Sequence, residues 1–236
     1  MVRYFFSPVS VILLIFLTAA AILLIPLLFL GLIGSALAKL GFNIFWIILL
    51  IIGMIVGSFV NLPLMKVKSE QQFVRVEHGR LMDRLYKVPE FSNETMIAVN
   101  VGGCVIPVFV SIYILLSALT IADADPMGLY LRCLIATAIV AVAVFKTSTP
   151  IAGLGVATGF LIPPLCALIC AIILSGGDSF TAVAVAYISG TVGTLIGADV
   201  MNIGNLSNSG APVASIGGAG TFDAIFLSGI IAAFLA

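Results

Sequence analysis

Apolar residues run along this chain in long blocks, with few polar breaks between them. A helix needs about 20 apolar residues to cross a bilayer. Seven blocks reach roughly that length, over about 8–35, 43–64, 95–120, 127–146, 151–175, 180–200 and 212–235. The pattern predicts an all-α fold, a polytopic transmembrane helix bundle of about seven spans. It divides into an N-terminal two-span hairpin (1–65), a polar loop (66–94) and a five-span membrane domain (95–236). The first block far exceeds the about 7–15 apolar residues of a signal-peptide core, so it is expected to stay as a span.

The one long polar break lies between residues 66 and 95. It holds six of the ten Lys/Arg, five of the ten Asp/Glu and the single histidine, His78. Phe73 to Glu77 alternates apolar and polar, Leu81 to Val88 does so in part, and His78-Gly79 lies between them. A small β-hairpin is therefore expected inside this loop. With the N-terminus inside, eight of the ten Lys/Arg fall on the cytoplasmic side, and only Lys39 and Arg132 fall outside. The excess of positive charge on cytoplasmic loops then predicts an N-inside, C-outside multi-pass protein of the cell membrane.

Composition sharpens this picture. Apolar residues make up 62% of the 236 positions and charged ones 8%, and mean hydropathy is +1.30. Twenty charges cannot clothe a soluble domain of this size. A soluble enzyme and a nucleic-acid binder are excluded, and the expected partner is the lipid bilayer. Net charge is zero, so no bulk field selects an acidic or basic partner. Cys104, Cys133, Cys166 and Cys170 all fall inside expected spans, form no C-x-x-C pair and have no histidine nearby. They read as packing residues, and neither a metal nor a cofactor is expected. Gly155/Gly159 and Gly193/Gly197 have the G-x-x-x-G spacing of closely packed membrane helices.

Polar residues inside a span are costly and mark candidate sites. Here they are Asn100, Lys146, Asp199, Asn202 and Asp223. Lys146 ends its span and can snorkel to the headgroups. Asn100 precedes Gly102-Gly103 and Pro107, a combination that predicts an irregular helix. Its amide can satisfy freed backbone groups or contact a substrate. Asp199 closes the sixth span, and Asp223 lies in the first half of the seventh. These spans are consecutive and antiparallel, so both carboxylates fall toward one membrane face.

Two close carboxylates tend to share one proton, which lets one act as base toward a water and the other as acid toward a carbonyl. Gly217, Gly218 and Gly220 would admit a peptide backbone, with Asn202 and Asn100 as further contacts. The expected chemistry is that of a diaspartyl intramembrane protease acting on a transmembrane peptide, with Asp199 and Asp223 catalytic. The same acids suit a small proton- or cation-coupled transporter, which Pro163-Pro164 would support by breaking the fifth span. A non-catalytic scaffold or subunit is the third alternative.

Two resemblances follow from these residues. Gly197-Ala198-Asp199, the run from Gly210 to Asp223, Tyr4-Phe5-Phe6-Ser7-Pro8 and Ala98 to Gly103 resemble a prokaryotic family of polytopic membrane proteins of unknown function. The segment Gly218 to Gly229 resembles the Gly-x-Gly-Asp region of presenilin and signal-peptide-peptidase type proteases. In those families the catalytic acids lie in the sixth and seventh spans. That likeness implies catalytic roles for Asp199 and Asp223. Here two residues separate Gly220 from Asp223, where that motif has none, and Ala198 stands where a tyrosine often precedes the first acid.

Overall fold

The computed structural model describes residues 8–68, 94–120, 125–151, 155–204, 213–218 and 223–236. The expected hairpin around His78-Gly79, the loop 205–210 and Gly220 lie outside them. The described chain is mostly helical. Its helices are α1 (Pro8–Lys39), α2 (Ile44–Gly57), α3 (Ile106–Ser117), α4 (Pro126–Thr147), α5 (Ile162–Leu174), α6 (Ser179–Thr194) and α7 (Ala224–Leu235). Short π-helical segments, Val101–Val105 and Leu195–Val200, lead into α3 and extend α6.

Among the described residues, three helices are long and apolar enough to cross a membrane: Val11–Lys39, Pro126–Thr147 and Ser179–Val200. They fall in the first, fourth and sixth apolar blocks. The other four blocks hold shorter helices. The 12 residues of α7, for example, span only about 18 Å against a hydrocarbon core of about 30 Å.

Among the described residues the same blocks also carry short strands, so a mostly helical chain has a small sheet where continuous helix was expected. Strand β1 (Asn61–Lys68) follows α2, β2 (Glu94–Asn100) precedes the first π segment, and β5 (Val213–Ile216) precedes α7. They form one sheet in the order β1-β2-β5, with β1 antiparallel and β5 parallel to β2. A second hairpin pairs β3 (Thr149–Ile151) with β4 (Gly155–Ala157). Helix gives way to strand where the sequence carries alternation or helix-hostile residues. Met65 to Lys68 alternates apolar and charged, and Pro63 lies in the edge strand β1, where a missing N–H is tolerated. Pro163-Pro164 does not interrupt a long helix. It occupies the first turn of α5, the position where proline leaves no N–H unsatisfied.

The core is built around α6. Its residues from Val183 to Thr191 are all buried, and Tyr187 is fully enclosed. Glycines permit this. A side chain at Gly193 or Gly197 would collide with Val140, Ala141 and Val144 of α4, and one at Gly190 with the backbone of α7 at Ser228 and Gly229. The G-x-x-x-G reading therefore holds for Gly193/Gly197. It does not hold for Gly155/Gly159, because Gly155 lies in β4. The four cysteines are free thiols, three of them buried. Around this core, α1, α2 and α4 expose large apolar side chains such as Phe16, Leu23, Phe45 and Leu134. In water that would be ruinous, and in lipid it is expected.

The N-terminus of α6 is capped by the Asp178 carboxylate, which accepts a 2.7 Å hydrogen bond from the Thr181 N–H. Bonding to Thr181 holds this acid below its ordinary value. A depressed carboxylate stabilises the fold above its unfolded value and loses that contribution as pH falls through the folded one. The protection of the first-turn amides of α6, relative to their intrinsic exchange rates, should therefore fall on acidification below about pH 4, and Asp178→Ala should abolish that dependence while costing about 1 kcal/mol. At the other end of α6, Gly197→Leu should overpack the α4 contact and lower thermal stability by about 1–3 kcal/mol. Gly31→Leu, facing open space on α1, should leave the unfolding temperature in detergent unchanged.

Candidate functional site

The two short helices α3 and α7 begin at the same place, beneath the β1-β2-β5 sheet. Their start is organised by asparagine and aspartate. Asn100 ends β2 and is fully buried. Its Oδ1 accepts from the Gly103 N–H at 2.9 Å, capping the π segment. Its Nδ2 donates to the Ser58 carbonyl at 2.7 Å and to Asn61 Oδ1 at 3.1 Å. Asn61 Oδ1 also accepts from Ser215 Oγ at 2.6 Å. One side-chain cluster thus ties the end of α2 to all three strands. Both Nδ2 protons are engaged inside the protein, so the structure uses Asn100 as a backbone partner.

Close packing at this knot depends on glycine. Gly57 and Gly102 face each other so tightly that a side chain on either would strike the other segment's backbone. Gly217 closes β5 with φ +70°, a left-handed conformation, and lies directly on Gly103 and Cys104. Gly218 completes the turn by donating its N–H to the Ser215 carbonyl at 3.1 Å. These two glycines therefore draw the sheet onto the π segment.

Asp223 is the N-cap of α7, and its Oδ1 accepts from the Ile225 N–H at 2.9 Å. Asp199 lies in the π segment that ends α6. The sequence places the two acids 24 positions apart, yet their carboxyl groups come close enough to act electrostatically on each other. Both act also on the Cys104 thiol. Cys104 belongs to a small buried apolar cluster with Ile97, Ile216 and Ile225. The acids thus sit at the junction of the helical core with the sheet. Asn202 lies next to them, but its amide turns back to donate to the Gly197 carbonyl at 3.0 Å, in the widened π turn.

Gly217 packs on Gly103 and Cys104, and Gly218 on Ser215, while Asn100 and Asn202 brace the two π segments. Lys146 lies exposed in the last turn of α4. Sequence reasoning did not single out Cys104, Asn61 or Ser215. The signal for Cys104 was its position directly after Gly102-Gly103. Asn61 and Ser215 gave none, because their roles arise from strand pairing between distant segments. Among the described residues, no group of three or more His, Cys, Asp or Glu is placed to hold a metal ion. Chemically, two carboxyl groups within electrostatic reach of each other titrate as a coupled pair.

A family described as "Protein of unknown function (DUF1614)" matches residues 55–235. The chain belongs to that family. Comparisons with curated proteins and with solved structures return no match. For this DUF1614 chain the matched region begins within α2 and takes in the sheet, both π segments and both acids.

Replacing Asn100 tests the knot. In Asn100→Asp, a carboxylate would face two acceptors where the amide donates, leaving the Ser58 carbonyl and Asn61 Oδ1 without their donor. We expect a loss of about 3 kcal/mol in unfolding experiments in detergent. Ser215→Ala, which removes one partly exposed bond, should cost about 1 kcal/mol.

Proposed function

We propose that this protein is a diaspartyl enzyme of the membrane, cleaving peptide bonds in or near the bilayer, with Asp199 and Asp223 as its catalytic pair. The observation behind this reading is that the carboxyl groups of Asp199, in the π segment after α6, and Asp223, the cap of α7, lie within electrostatic reach of each other. Asp223 accepts the backbone N–H of Ile225 at the start of α7, and we assign it the role of base. Asp199 then supplies the proton. In the reaction, Asp223 takes a proton from a water as the water oxygen attacks the scissile carbonyl, and Asp199 protonates the carbonyl oxygen. Collapse of the resulting gem-diol breaks the C–N bond as one of its hydroxyls returns its proton to Asp199 and the proton on Asp223 passes to the leaving amine. The protein would lie N-inside and C-outside, as its Lys/Arg distribution favours.

A second reading, proton- or cation-coupled transport, draws on a different observation. Strand gives way to helix just before α3 and α7, so two broken segments present helix N-termini toward the acid pair. Transport proteins build their ion sites from such interrupted helices.

One experiment separates these readings. Reconstituted protein is given a transmembrane reporter peptide, and proton flux is followed in the same vesicles. The protease reading expects cleavage that falls at least about 10³-fold in both Asp223→Asn and Asp199→Asn. Cleavage unchanged in either variant would sink it. Flux that is lost in these variants, without any cleavage in the unaltered protein, would establish the transport reading instead.

A further inference from the structure

The carboxyl pair is only as well placed as the register between α6 and α7. Two buried hydroxyls hydrogen-bond across that register. Ser228 Oγ donates to the Gly190 carbonyl at 2.5 Å and lies 2.9 Å from Thr194 Oγ1. A serine has one hydroxyl proton, and here it is committed to a carbonyl, so Thr194 must be the donor in the hydroxyl–hydroxyl bond. Both hydroxyls are buried. Glycines bring the helices close enough for these bonds. Gly190 leaves room for the backbone at Ser228 and Gly229, and Gly229 leaves room for Thr191.

Asp199 is five residues after Thr194, and Asp223 is five residues before Ser228. Because the helices run antiparallel, these equal offsets lead from the clasp in the same direction to the two acids. We propose that Ser228 is a positioning residue, which with Thr194 sets the separation of Asp199 and Asp223 and so the strength of their coupling. The inference rests on the acid pair of the proposed enzyme. It goes further in assigning control of the pair to a hydroxyl that touches neither carboxyl group.

Slippage at the clasp would change the distance between the acids without removing either one. Two acids in contact titrate in two separated steps, and the separation shrinks as they move apart. The readout is the infrared band of protonated carboxyl groups, followed against pH on the full chain in nanodiscs. Asp223→Asn identifies the steps that belong to the pair.

In Ser228→Ala the separation should narrow by about one pH unit. Thr194→Val, which removes the donor from the other side of the same bond, should narrow it similarly. Ser228→Thr, which keeps the hydroxyl, should restore it. Circular dichroism confirms that each variant is folded, and where Ser228→Ala fails to fold, Thr194→Val decides. A separation unchanged in the folded variant overturns the proposal. So does an unaltered protein in which the acids show a single step. Cleavage is scored independently. A Ser228-dependent separation in a protein that cleaves nothing upholds this inference and sinks the protease. Cleavage with an unchanged separation does the reverse.

Discussion

A backbone polar group that reaches membrane depth must find its partner within the protein. That constraint organises this structure, because four of its helices are too short to cross a bilayer. Three of them, α2, α3 and α7, neighbour in sequence the strands β1, β2 and β5, which satisfy one another in one ladder. Where strand must turn back into helix, neither ladder covers the junction. There the side chains of Asn100 and Asp223 accept the N–H groups of Gly103 and Ile225. Asn202 serves the same end at the carbonyl of Gly197, which the π widening has released.

The acid pair is a by-product of the same economy. Asp223 is there first as a cap, and a cap must stand where a helix begins. Asp199 stands where α6 widens into π geometry, a departure that frequently marks functional positions. Because the caps and the π segments gather at the foot of one sheet, chemistry-bearing groups gather there too. The apolar cluster of Ile97, Cys104, Ile216 and Ile225 walls this place from the sheet side. Its low polarity strengthens every electrostatic interaction inside it.

Much of this was legible in the sequence, and the rest was hidden for identifiable reasons. The apolar blocks located the three long helices, but block length did not separate them from the four equally long blocks that hold shorter helices. The Gly193/Gly197 spacing gave the α4 contact. Intramembrane acids gave Asp199 and Asp223, and the antiparallel order of their helices placed them together. Hydropathy could not reveal the sheet. A strand such as Thr95 to Val99 is as apolar as a helix of equal length, and periodicity separates the two poorly when both faces are covered. For the same reason Pro163-Pro164 was expected in mid-helix, when it begins one. The Asn61–Ser215 contact joins residues 154 positions apart, and no local pattern encodes such a pairing.

The first helix offers a contrast. Val11 to Leu17 and Ile22 to Ile25 of α1 stand exposed, and burial begins only near Ile33, Ala36 and Leu37. There Lys39 Nζ donates to the Phe234 carbonyl at 2.7 Å and lies over that residue's ring. The helix is thus attached at its last turns and otherwise meets only its surroundings. Shape complementarity constrains α6 at nearly every position, whereas length and greasiness alone constrain most of α1. The two helices should therefore drift at very different rates among relatives. In α6 a single added methyl group would be felt at the acids, while the outer turns of α1 can exchange one aliphatic residue for another without any signal reaching them.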